Sequence, residues 1–339
     1  MSLQIQLEAY LSRTTDGRVA VDALTRIPGG ASRETYSFDA IAADGTRRGL
    51  ILRRDPLGSL IDTDREVEFL AYRSFHGRVP VPAPVALEVS GAELERPFFL
   101  MERIDGGQVA SPIARDPYGA AAPVLGHAFF TALGRVAVMD PDDLPIAAVL
   151  AQPTADAAWR VSVDQWASVF ERDERHPQPI IRAAIRRLYA NPPPPAERIT
   201  VVHGDYRSGN FLHDGAGRLL ALLDWEMAHL GDPLEDLAWA CDPLWGHHDD
   251  TRVAGLLSLP DAVAAWSAAS GLACDPAAFA WWRLFSAVKG QAIWTTSGRR
   301  FAEAGCVDLI LGFSGSFTAR AHDSVIAEAL CQLVAGGWR

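Results

Sequence analysis

The run VVHGDYRSGNFLHDGAGRLLALLDWEMAHLGDP, Val201 to Pro233, sets Asp205, Asn210, Asp224 and Glu226 between two apolar segments. Its strand-like pieces NFLH and LLALLDW flank DGAG, a turn signal that predicts a hairpin. With the turn centred between Gly215 and Ala216, cross-strand partners sum to roughly 431. That register places Asn210 opposite Ala221 and Asp224 near Arg207, so that Asp205, Asn210 and Asp224 converge at the open end. Asn210 and Asp224 suit magnesium, which takes oxygen ligands and shares its shell with substrate phosphates. Asp205, on the loop just upstream, is left to accept a hydroxyl proton and aim a nucleophile at an in-line phosphoryl group.

His203, Asp205 and Asn210 stand in the spacing HxDxxxxN, with Asp224 downstream in the place of the kinase metal-binding aspartate. The constellation resembles the protein-kinase-like phosphotransferases. More narrowly, HGDYRSGN followed by LLDWEMAHLGDPLEDLAW is similar to the aminoglycoside phosphotransferase family, including its acyl-CoA-dehydrogenase-associated branch. Asp224 is followed by Trp225 and Glu226, not by the Phe-Gly of protein kinases, and no APE segment lies downstream; both departures count against a protein substrate.

This resemblance implies ATP as phosphate donor, Mg2+ as metal and a nucleotide cleft between two lobes. The glycine turn in IPGGASRETYSF offers Gly29, Gly30 and Ser32, whose amides would approach phosphates, although a Gly-Gly turn between strands is also what a plain hairpin looks like. The phosphate-clamping cation should sit on the third strand and pair with a helix carboxylate. Lys289 is the only lysine of the chain, so arginine must serve: Arg53 in GLILRRD, with Glu66 in DREVEFL as partner. Arginine's planar fork binds phosphate and carboxylate but is not a compact point charge. MERIDGG resembles the hinge, where backbone groups of Glu102 to Ile104 would meet the adenine edge.

The elements that must position these groups change in texture near residue 105. Before it, VAVDALTRI, TYSFDAIAA, RRGLILRR and PFFLMERI read as strands of an antiparallel sheet, with a helix at about Asp62 to Phe75 where Val67, Leu70, Ala71 and Phe75 recur at helical spacing. Beyond it, alanine- and tryptophan-rich helical patterns prevail, and NPPPPAER stiffens the approach to the polar run. The expected class is α+β: a bilobal protein-kinase-like fold with a small sheet lobe over 1–104 and a larger helical lobe over 105–339, as 339 residues can support.

A net charge of -11 gives no basic footprint for nucleic acid. No apolar run of membrane-spanning length stands out, and the start has no signal-like core, so no membrane partner and a cytoplasmic location are expected. Four scattered cysteines form no ligand motif. Nothing in the chain fixes an oligomeric state. His203 reads as a brace for the loop, Asp232 and Asp236 as scaffold that caps or ties down a helix, and GHHDD as a solvated loop. Glu226 divides evenly between a functional and a loop-fixing role.

The acceptor site should lie within residues 240–305. An aminoglycoside, being a polycation, would need convergent carboxylates such as Asp242, Asp249 and Asp250. A coenzyme A thioester would need cations for its phosphates and an apolar channel, for which Arg283, Lys289, Arg299 and Arg300 interleave with Trp281, Trp282, Phe285, Trp294 and Phe301. The expected function is transfer of phosphate to a small-molecule hydroxyl, with a hydroxyacyl-CoA-like acceptor preferred. An amino-alcohol kinase and a nucleotide-binding pseudokinase are the alternatives.

Overall fold

The computed structural model describes residues 2–15, 17–27, 34–55, 64–111, 114–303, 306 and 308–334. The chain opens on a helix, α1 (Leu3–Thr14), followed by β1 (Val19–Ile27), β2 (Glu34–Ala42), β3 (Arg47–Arg54), α2 (Arg65–Phe75), β4 (Pro84–Glu88) and β5 (Phe98–Glu102). These strands form one antiparallel sheet in the order β1-β2-β3-β5-β4.

Alternation along β3 explains how the sheet serves two cores. Leu50 and Leu52 face outward with Phe38, Phe98 and Leu100, and Leu7, Tyr10 and Leu11 of α1 cover them. Ile51 faces the other way, with Val67, Ala71, Tyr72 and Phe75 of α2 and with Phe99 and Met101 of β5. The inner core runs on without interruption into the helical part, so the sheet is seated on the helices by apolar packing. Asp64 caps α2 by accepting from Glu66 N at 2.8 Å, which fixes the start of the helix within the expected span.

The helical part contains α3 (Ala122–Val138), α4 (Ala158–Asp173), α5 (Pro179–Ala190), the short strands β6 (Thr200–Val202), β7 (Phe211–His213), β8 (Leu219–Leu222) and β9 (His229–Gly231), then α6 (Leu234–Ala240), α7 (Leu259–Ser270), α8 (Pro276–Phe301), α9 (Leu309–Phe313) and α10 (Ala319–Val334). Contrary to the expectation of no such run, the stretch Gly119–Val138 is long and apolar enough to cross a membrane by length and composition, and more than half of it is buried inside the protein. Its apolarity has a packing cause: a side chain on Gly134 would collide with the Trp266 carbonyl and one on Gly126 with Leu257, so α3 lies close against α7 and the segment before it. The long helix α8 is capped by Asp275 and buried over most of its length.

Candidate active site

The hairpin forms as β7 paired with β8, but its register differs from the expected one. Phe211 pairs with Leu222 and Leu212 with Ala221, with a shift at His213, which faces Leu219. Asp214 causes the offset, because its carboxylate accepts from the amides of Ala216 and Arg218 and tightens the turn. Asn210 therefore lies opposite Leu223, whose amide donates to the Asn210 carbonyl at 2.8 Å. Convergence of the three polar residues survives, since the hairpin still opens toward the loop.

Asp205 is gripped from three sides. Arg207 Nε lies 3.0 and 3.1 Å from its two carboxylate oxygens, Trp239 Nε1 donates to Oδ1 at 2.8 Å, and Asn210 Nδ2 donates to Oδ2 at 2.6 Å. Asn210 thus turns its amide nitrogen to the base and its carbonyl oxygen away. Arg207, over the ring of Trp245 at 4.7 Å, is a part of the site that the sequence reading does not single out. Its place two residues after Asp205, in the loop itself, was the available signal.

Asp224 has a backbone φ of 69°, left-handed for a non-glycine residue, and its amide donates to Tyr72 Oη at 3.0 Å. Its carboxylate meets Arg53 Nη2 at 2.7 Å. Burial pushes the Asp224 carboxyl up, but the Arg53 guanidinium outweighs it and holds the group below the usual carboxylate range. Arg53 Nε lies 3.0 Å from Glu68 Oε1, with Glu226 Oε2 at 3.8 Å from the same guanidinium.

The helix partner of Arg53 is therefore Glu68 and not the expected Glu66. With α2 starting at Arg65, Glu68 falls on the buried face between Val67 and Ala71, whereas Glu66 sits at the partly exposed edge. Glu226, 8% exposed beside Arg53, belongs to the same charge cluster.

The loop rests on buried struts. His203 Nε2 lies 2.9 Å from the Leu223 carbonyl and its Nδ1 lies 3.1 Å from Asp205 N, which fits a neutral ring donating at one end and accepting at the other. Burial lowers its pKa to about 4, so it braces the loop as a neutral group. Asp236 ties α6 to the loop: it accepts from His203 N at 2.5 Å and Gly204 N at 3.0 Å, and burial pushes its carboxyl up to about 6. Asp232 does cap, accepting from Leu234 N at 2.9 Å, and also takes the Trp282 indole at 3.2 Å.

Two further expectations need correction. His247 of GHHDD is buried, with Nδ1 3.0 Å from the Ala114 carbonyl and Nε2 2.9 Å from Ser208 Oγ of the loop. The set proposed for coenzyme A phosphates is not a free cationic surface: Lys289 is 1% exposed, Arg299 meets Asp173 at 2.8 Å, and Arg283 meets Gln332 at 3.0 Å. Trp281, Trp282 and Phe285 are core. Asp242 is buried and caps Leu244 N at 2.9 Å, and Asp249 is held by Arg252 and Thr251.

Of the groups expected at the nucleotide, Gly29, Gly30 and Ser32 lie outside the described residues. Glu102 ends β5; its amide donates to the Ala83 carbonyl at 2.9 Å, its carboxylate pairs with Arg48 at 2.7 Å, and Ile104 follows in an irregular segment.

Among the described residues no group of three or more His, Cys, Asp or Glu side chains could hold a metal by itself. The pair Asn210 and Asp224 nevertheless fits a hard cation that draws its remaining ligands from phosphate and water: one ionised carboxylate, partly exposed at 27%, and one amide oxygen turned away from the base.

Comparison with known proteins agrees with this geometry. The model of a phosphotransferase enzyme family, APH, matches residues 23–272. Acyl-CoA dehydrogenase family member 10 of Mus musculus is 30% identical over 200 residues, 57% of this chain and 18% of that protein. The chain spans only 18% to 35% of the length of the first curated relatives it matches. In a solved structure from Ralstonia eutropha JMP134, a protein described as an aminoglycoside phosphotransferase has the same fold, with a TM-score of 0.75 at 19% identity over 96% of this chain and 97% of that one. A thermostable mutant of aminoglycoside phosphotransferase APH(4)-Ia, in ternary complex with AMP-PNP and hygromycin B, superposes with a TM-score of 0.59 at 16% identity over 96% and 98% of the two chains.

Proposed function

The chain belongs to the phosphotransferase enzyme family, and from that membership and the site just described we propose that it transfers the terminal phosphoryl group of ATP to a hydroxyl of a small molecule. The observation that carries this reading is the convergence of Asp205, Asn210, Asp224 and Arg53, from three separate stretches of sequence, on one cleft. ATP as donor is supported by the AMP-PNP complex of a protein with the same fold.

In this reading Asp205 takes the proton of the acceptor hydroxyl as its oxygen attacks the γ-phosphorus, while the bond from that phosphorus to the β–γ bridging oxygen breaks and ADP leaves. Asn210 and Asp224 would hold Mg2+, which would supply charge neutralisation for the phosphates. Arg53, released from Asp224 by the incoming nucleotide, turns its fork to phosphate oxygens while Glu68 keeps its Nε aligned. Arg207, partly exposed and paired with the Asp205 carboxylate at 3.0 Å, would turn to the transferring phosphoryl group. The Glu102 carbonyl and the Ile104 amide meet the adenine edge, with Gly29, Gly30 and Ser32 as phosphate-facing loop groups. The boundary between nucleotide lobe and acceptor lobe falls at 104–105, and the cytoplasm is the proposed location.

For the acceptor we favour a hydroxyacyl compound, as its coenzyme A thioester, over a polycationic sugar. Asp242 and Asp249 are already engaged, whereas Trp245 and Trp294 offer partly exposed apolar surface on the side of Arg207. The acyl-CoA dehydrogenase names of the relatives point the same way. Incubation with Mg-ATP and a panel of hydroxyacyl-CoA thioesters, amino alcohols and aminoglycosides, read by mass spectrometry, tests the proposal. A product heavier by one phosphoryl group with a thioester supports the acceptor assignment. A product only with an amino sugar or amino alcohol overturns that assignment and leaves the kinase reading standing; nucleotide binding with no product in the whole panel favours the pseudokinase.

A further inference from the structure

The single lysine of the chain lies where no solvent-facing function can reach it. Lys289, in the middle of α8, is 1% exposed, and its ammonium donates to the carbonyl of Gly204, the residue directly before the base. It also meets Glu235 Oε1 at 3.3 Å. Two indole faces enclose the same ammonium, Trp239 at 5.1 Å and Trp166 at 5.7 Å. Trp239 is the residue whose indole N–H holds Asp205.

Lys289 thus touches two of the groups that fix the base, the peptide before it and the indole that binds its carboxylate. The Gly204–Asp205 peptide is pinned at both ends, its carbonyl by Lys289 and its amide by His203. Glu235, wholly buried, supplies the countercharge and is itself bonded by Ser162 Oγ at 2.9 Å and His229 Nε2 at 3.1 Å. A buried ion pair of this kind is weak evidence for stability, since its desolvation offsets its attraction. Its value lies in geometry: a compact ammonium between two rings can reach one carbonyl and one carboxylate, where a planar guanidinium would not fit the same enclosure.

We infer that Lys289 is a positioning residue for phosphoryl transfer, setting the orientation of Asp205 through the Gly204 carbonyl and the Trp239 indole. The inference rests on the phosphotransferase reading for its kinetic test and is independent of it for its structural one. The charge-neutral pair K289M/E235Q avoids leaving Glu235 buried and unpaired, and K289M alone is the companion variant.

In the double variant Mg-ATP affinity and acceptor KM should stay within about threefold of wild type, while kcat falls at least about thirtyfold, the loss expected when a base is misaligned. In spectra of 15N-tryptophan-labelled protein, the Trp239 indole N–H should shift and exchange faster with solvent in both variants. Turnover within twofold of wild type, or equal loss of nucleotide affinity and turnover, would overturn the inference, the latter by showing a general structural role. If wild-type protein transfers phosphate to nothing, the functional reading fails; the Trp239 signal then decides alone, and an unmoved resonance overturns the positioning role.

Discussion

Arg53 Nη2 lies 2.7 Å from Asp224 Oδ1 across 171 residues of sequence, so the candidate phosphate clamp and the candidate metal carboxylate are each other's partner in this structure. A bound nucleotide with its metal must separate them, the metal taking the carboxylate and the phosphates the guanidinium. Asp224→Ala should therefore abolish the magnesium dependence of nucleotide binding, and Arg53→Met should weaken Mg-ADP binding by about thirtyfold, on the order of 2 kcal/mol for one charge-assisted contact. Calorimetric titration with and without magnesium checks both, and unchanged affinity in Asp224→Ala would mean that the metal binds elsewhere.

Glu68 and Glu66 are separated by one residue and by a large difference in surroundings. Glu68 is fully buried against Arg53, and Glu66 is partly exposed at the first turn of α2. Glu68→Gln should raise the KM for ATP and lower stability by about 1–3 kcal/mol, since a buried charge-assisted contact is lost while Arg53 keeps Asp224 and Glu226. Glu66→Gln should change stability by no more than about 0.5 kcal/mol. Denaturant titration of the two variants ranks them, and the reverse order would refute the pairing.

His203 links the loop to pH. Its folded pKa, lowered by burial to about 4 from 6.5, means that the unfolded chain binds a proton the folded protein refuses. The stability it contributes is complete above pH 6.5 and is lost as the pH falls toward 4, about 3 kcal/mol over the window. Asp236, raised to about 6, works in the opposite sense, contributing at acid pH and losing that contribution as the pH rises. Unfolding free energies of wild type and His203→Gln should therefore converge as the pH drops from 7 to 4. A constant difference would show that the ring is not held neutral.

Gly204 carries a φ of 82°, and a Cβ there would lie 2.2 Å from the Met227 carbonyl oxygen. Because that neighbour is backbone, it cannot swing aside. Gly204→Ala should destabilise the protein by more than about 2 kcal/mol, strain and overlap combined. A thermal melt within a degree of wild type would contradict the loop geometry described.

What the sequence makes legible follows from where the information lies. HGDYRSGN places the candidate base, the candidate amide ligand and two glycines within eight consecutive residues, so the cluster can be read before any fold is known. The partner of Arg53 lies two residues from the expected one: Glu66 and Glu68 flank the stripe of Val67, Leu70, Ala71 and Phe75, and the burial of Tyr72, four residues after Glu68, widens the buried face on the Glu68 side. The strut from Lys289 to Gly204 joins residues far apart in the chain, and nothing local marks it beyond the isolation of one lysine among arginines. His247 differs for another reason: it and His248 adopt left-handed backbone, and His247 turns inward while His248 and Asp250 stay exposed. Charge composition likewise could not reveal that Asp242 and Asp249 are already partnered.

The most direct test of the central claim is single-turnover phosphate transfer by Asp205→Asn compared with wild type, alongside Mg-ATP affinity of both. The variant keeps the shape of the side chain beside Arg207 and Trp239 but cannot accept the proton of a hydroxyl. The account predicts Mg-ATP affinity within a fewfold of wild type and a rate lower by about a hundredfold or more. Equal rates would contradict the assignment of Asp205 as the base and, with it, the mechanism proposed for this cleft.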